Sequence, residues 1–92
     1  MDKRLVRVEW LDSQDHKDKW VDEGDATEFG NISCTIISVG FLVSKTEKYI
    51  TLAGDWDDSD KDFGRVTKVA TAGVISLADL SVSPAEVQIK DL

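Results

Sequence analysis

The sequence predicts an all-β protein: one small domain over residues 1–92, built as a strongly bent five-stranded antiparallel barrel of the SH3-like or Sm-like kind with at most one short helix. Three observations predict it. Apolar residues recur at period two in several short runs, the mark of half-buried strands. The runs are separated by glycines and polar clusters at hairpin distances. A chain this short cannot leave one face of a flat sheet bare, so the sheet has to curl on itself. An OB-type barrel is the second architecture consistent with the same pattern.

Taken in order, residues 5–12 alternate, with Val6, Val8 and Trp10 on one face and Arg7 and Glu9 on the other. A polar stretch then runs to about Asn31. Its large anchors are Trp20 and Phe29, and the spacing allows a turn or two of helix over 15–21 within a long loop packed down at those two points. Residues 32–44 carry the strongest strand signal. Ile32, Cys34 and Ile36 share one phase and Ile37, Val39, Phe41 and Val43 the other, so the run needs either a bulge at Ile36–Ile37 or burial on both sides. Gly40 in its middle predicts a sharp bend or a close backbone approach.

Residues 45–48 form a polar hairpin connection to a returning strand over 49–53, Tyr-Ile-Thr-Leu-Ala. Gly54 to Gly64 reads as a second loop. Residues 65–71 and 74–77 read as the last two strands, and Ser83-Pro84-Ala85-Glu86 as the start of a short helix, with a Ser cap, Pro in the first turn and Glu three after the cap. The predicted inner wall is Val6, Val8, Trp10, Phe41 and Leu52.

Charge narrows the function classes. The formal net charge is −7, and it is local: residues 9–28 hold −6 and residues 55–62 hold −4, while 63–92 are neutral. This argues against a phosphate-backbone surface and hence against direct nucleic-acid binding. The charged N-terminal residues do not resemble a signal peptide, and the longest apolar run is far short of the ~20 residues a membrane-spanning helix needs. With Cys34 free in an apolar run, a reducing cytoplasm is the expected compartment.

The residues for most catalysis are missing or badly placed. His16 is the only imidazole and lies in a charged loop, and Cys34 is inert if buried. One His and one Cys cannot build a zinc site. Asp58-x-Asp60-x-Asp62 matches the first ligand positions of an EF-hand loop, but Phe63 stands where the glycine is required and Val69 where the bidentate Glu belongs. The chain is therefore expected to be non-enzymatic, with no metal and no cofactor. The better lead is aromatic: Trp20 and Trp56 lie in the two acidic loops, either pinning those loops to the barrel or forming a stacking surface for a ligand or partner.

Trp10-Leu11-Asp12-Ser13, then Trp20, then Cys34 with Ser38-Val39-Gly40-Phe41-Leu42, then Tyr49-Ile50-Thr51-Leu52-Ala53 resemble a group of small proteins encoded by tailed phages and prophages, over about residues 6–75. The shared residues are mostly strand core, so the resemblance implies a common fold more than a common activity. This sequence lacks the proline expected before the last strand.

The resemblance implies an accessory protein acting in the cytoplasm of an infected bacterial cell. The expected function is that of a homo-oligomer, with residues 49–53 and 65–71 as candidate edges, that holds a small ligand such as a nucleotide signal of host defence, or binds a host protein. Trp20 and Trp56 are then the stacking residues. Two alternatives stand beside it: a virion assembly component, and an acidic inhibitor that imitates DNA through a loop of Asp55, Asp57, Asp58, Asp60 and Asp62.

Overall fold

A computed structural model describes residues 3–80. Five antiparallel strands form one sheet: β1 (Leu5–Leu11), β2 (Thr35–Lys45), β3 (Tyr49–Asp57), β4 (Asp62–Ala70) and β5 (Val74–Asp79). One helix, α1 (Glu23–Gly30), lies between β1 and β2, and a 3-10 turn over Thr71–Gly73 joins β4 to β5. The expected helix at 83–86 lies outside the described residues.

The strand order is β4-β3-β2-β1-β5. No ladder joins β4 to β5 among the described residues, so the sheet is open and the expected closure into a barrel is absent from its hydrogen bonding. It is nonetheless bent. Val6 and Val8 on β1 pack in one cluster with Ile50 and Leu52 on β3, with Trp10, Leu42, Val74 and Leu77 around them. In a flat sheet those two strands, with β2 between, would stand about 9–10 Å apart. Gly40 lets them meet: a Cβ there would fall 2.7 Å from the Ala53 carbonyl oxygen. This is the close backbone approach that a mid-strand glycine predicts.

Register decides which side chains share the core. Val6 stands opposite Gly40, Val8 opposite Ser38 and Trp10 opposite Ile36. Phe41 stands instead opposite Leu5 and Ala53. Directly opposed residues share a face, so Phe41 lies on the reverse of the sheet and not, as expected, on the inner wall with Val6 and Leu52. The bulge also falls elsewhere. Pairing of β2 with β1 is continuous through Ile36–Ile37, and the irregularity comes between Leu42 and Ser44. Nor is β2 buried on both sides: Ile37 and Val39 are 55% and 57% exposed.

Two further boundaries differ from expectation. β3 and β4 run on as paired strands to Asp57 and Asp62, so the expected loop from Gly54 to Gly64 shrinks to a tight turn over 58–61. A cross-strand Trp56–Phe63 ring pair, with centroids 4.9 Å apart, supports this end of the ladder. Within the turn, Asp57 Oδ1 accepts from the backbone N–H groups of Ser59 and Asp60, and Lys61 takes φ 59. As β3 pairs on both sides, residues 49–53 are interior and not an edge; the edges are β4 and β5.

The helix forms at 23–30 and not at 15–21. Asp22 caps it, its Oδ1 accepting from Asp25 N at 2.7 Å, and Glu23 and Asp25 put negative charge in the first turn, where the helix dipole favours it. The helix buries no residue fully. Its anchor is the half-buried Phe29, edge-on to His16 at 4.9 Å.

Candidate functional site

The core-face side chains beyond Leu52 are small or polar, and this opens a cleft. It spans about 360 Å³ between β2, β3 and β4, and Ser38, Leu52, Gly54, Arg65, Thr67 and Val69 line it together with Val39 and Ala53. Leu52 and Val69 are buried and give it an apolar floor. Ser38 is held in place because the Trp10 indole N–H donates to its Oγ at 3.0 Å. Thr67, opposite Leu52, adds a second hydroxyl.

Arg65 forms one wall. It stands at φ 51, in the left-handed region that side-chain-bearing residues rarely adopt. Its guanidinium lies over Gly54, so close that a Cβ there would meet Nη2 at 2.6 Å. From that position Nε and Nη2 donate to the two Asp55 oxygens at 2.7 and 3.2 Å. These hydrogen bonds, aided by the positive charge, hold the Asp55 carboxyl below its ordinary range, and Asp55 raises Arg65 in turn. The fork uses two of the five guanidinium N–H donors and, among the described residues, leaves the others available to an oxygen in the cleft.

Trp56 and Phe63 pair two residues beyond Gly54 and Arg65, and both are half-buried. The Lys3 ammonium lies 4.0 Å from the Trp56 ring centroid and 5.0 Å from that of Phe63. The Trp56 indole N–H donates to Asp58 Oδ1 at 3.3 Å, and Lys61 Nζ donates to the same oxygen at 2.9 Å. The Lys61 bond, then the indole bond, keeps the Asp58 carboxyl below its ordinary range.

The expected site residues therefore separate. Trp56 stands on the β3–β4 hairpin two residues past Gly54, next to the cleft but outside its lining. Trp20 does not anchor its loop: it is 86% exposed. Of the five aspartates, Asp55 and Asp58 are paired with Arg65 and Lys61, and Asp57 caps the turn. Asp60 and Asp62 remain exposed at the tip. Among the described residues no His, Cys, Asp and Glu side chains group as metal ligands, and no helix is long and apolar enough to cross a membrane.

Ser38, Arg65, Thr67 and Val69 were not read as site residues from the sequence. The available signal was period two: once Val6, Ser38 and Leu52 share a face, Thr67 and Val69 follow from the register of β4. A comparison with protein families, with curated proteins and with solved structures found no match to this chain.

Proposed function

We propose that this chain is a non-enzymatic binding protein that holds one small ligand in the cleft of its bent sheet, and that it serves as an accessory protein of a phage or prophage in the bacterial cytoplasm. The observation that carries the reading is the cleft. It places an apolar floor, two hydroxyls and a guanidinium with free donors around one concavity, the composition expected of small-molecule sites. At about 360 Å³ it lies near the small end of such sites, which suits a ligand the size of a single nucleotide.

In this reading a flat ring rests on Leu52 and Val69 beside Trp56. Ser38 and Thr67 bond its polar edge, and Arg65 meets an anionic or carbonyl oxygen. The scaffold is read as a barrel-type ribbon, supported by the bend at Gly40 and by β5 pairing back onto β1. The acidic-mimic reading has less support, because Arg65 and Lys61 neutralise two of the five aspartates it would use.

The test is thermal denaturation against a panel of mono-, di- and cyclic nucleotides. At least one nucleotide should raise the midpoint in the native chain, with a smaller rise in Thr67→Val and Arg65→Ala. No rise with any member contradicts the nucleotide reading, and an equal rise in both variants contradicts the cleft.

A further inference from the structure

Of the eight described residues that line the cleft, Arg65 alone is charged; the other polar side chains are the Ser38 and Thr67 hydroxyls. The Arg65 charge already has a counterion, since Nε and Nη2 donate to the two Asp55 oxygens at 2.7 and 3.2 Å. The remaining guanidinium donors can bond one more oxyanion, and the charge makes such a bond short and strong. A second negative charge on the same ligand meets only hydroxyls.

Beyond the lining the surroundings are acidic. From Gly54 to Arg65 the chain carries five aspartates against Lys61 and Arg65. Asp57 and Asp62 pair across the ladder, three residues from Gly54 and Arg65 and so about 10 Å along the strands. Lys61 is compensated within the turn by Asp58 at 2.9 Å. Lys3 lies outside the lining with its ammonium 4.0 Å from the Trp56 ring centroid, and counting it still leaves the aspartates in excess. Lys68 follows Thr67, but its ammonium lies 4.4 Å from the ring centroid of Tyr49, which pairs with Ala70 at the far end of the hairpin.

We propose, on the reading of this cleft as a ligand site, that its ligand carries a single negative charge set against Arg65, and that among nucleotides the cleft takes cyclic phosphodiesters over phosphate chains. A phosphodiester keeps one charge at neutral pH. A terminal phosphate monoester carries close to two, because its second pKa lies near 6. Each further phosphate adds another charge facing the aspartates. At about 10 Å in water, repulsion between two unit charges changes affinity about twofold before screening.

Isothermal titration calorimetry of the full chain, without divalent cations, tests this. The probes are the adenine, guanine, cytosine and uracil ribonucleosides, each as its 3′,5′-cyclic monophosphate and its 5′-mono-, di- and triphosphate. The cyclic form should bind most tightly, and affinity should fall about two- to fivefold with each added charge at ~10 mM salt. That spread should narrow at ~150 mM salt, where screening is stronger. In Asp60→Asn/Asp62→Asn, at the exposed tip and outside the lining, the triphosphate should gain more affinity than the cyclic form.

A di- or triphosphate that binds as tightly as the cyclic form, whether or not through Lys3, overturns the single-charge proposal and leaves the cleft reading standing. Equal effects of the Asp60→Asn/Asp62→Asn change on every form do the same. Binding by no member of the series overturns both.

Discussion

Arg65 and Asp55 are joined by a two-bond fork on the surface of the β3–β4 hairpin, and Arg65 holds φ 51 to make it. The Asp55 carboxyl is thereby depressed, so its contribution to stability is present above the unfolded-state pKa and fades as pH falls through the lower folded-state value. In Arg65→Gly the Asp55 titration followed by NMR should move up toward the ordinary aspartate value. Any stability advantage of the native chain over this variant at pH 7 should shrink below pH ~4. Solvent screens both groups, so the pH dependence is the diagnostic rather than the size of the effect.

Gly40→Ala and Gly30→Ala should behave oppositely. At Gly40 the added Cβ meets backbone, the Ala53 carbonyl oxygen at 2.7 Å, and the sheet has to open there; a loss of about 1–3 kcal/mol is expected from urea denaturation. At Gly30, the last residue of α1, nothing lies within 4 Å, and the change should be neutral or stabilise by up to about 1 kcal/mol.

The contrast between these two glycines shows what was legible in the chain. Gly40 announced its role because a glycine amid β-branched residues has few other reasons to be there. The β1 alternation and the β2–β3 connection were equally plain. Phe41 was misplaced because its neighbours offer two apolar phases, and only the pairing of Val6 with Gly40 chooses between them. The β3–β4 hairpin was hidden because strand-poor aspartates outnumber the two rings that hold it together. The helix was hidden because its start is set by the Asp22 cap and not by an apolar stripe. Of the site, Trp56 was visible as an aromatic, whereas Ser38 and Thr67 are ordinary strand residues until register places them side by side.

Ser38→Ala should cost about 1–2 kcal/mol by leaving the part-buried Trp10 indole N–H without its acceptor. Replacing Trp10 by Phe in the same background should recover part of that loss, since the orphaned donor is then gone. A double-mutant cycle in urea measures the coupling.

Asp22→Ala should loosen α1 without loosening the sheet. The cap is worth about 1 kcal/mol to the helix, but the helix buries no residue fully. Hydrogen exchange should therefore speed up over 23–30, while the β1–β3 amides and the global unfolding midpoint hold.

The most direct measurement is a ¹⁵N-resolved NMR titration of the full chain with the nucleotide that gives the largest thermal shift. A ligand held in the cleft should perturb the amides of Ser38, Leu52, Gly54, Arg65 and Thr67 and leave Trp20 unmoved. Perturbations centred on Trp20 and α1, or none at saturating nucleotide, would contradict it.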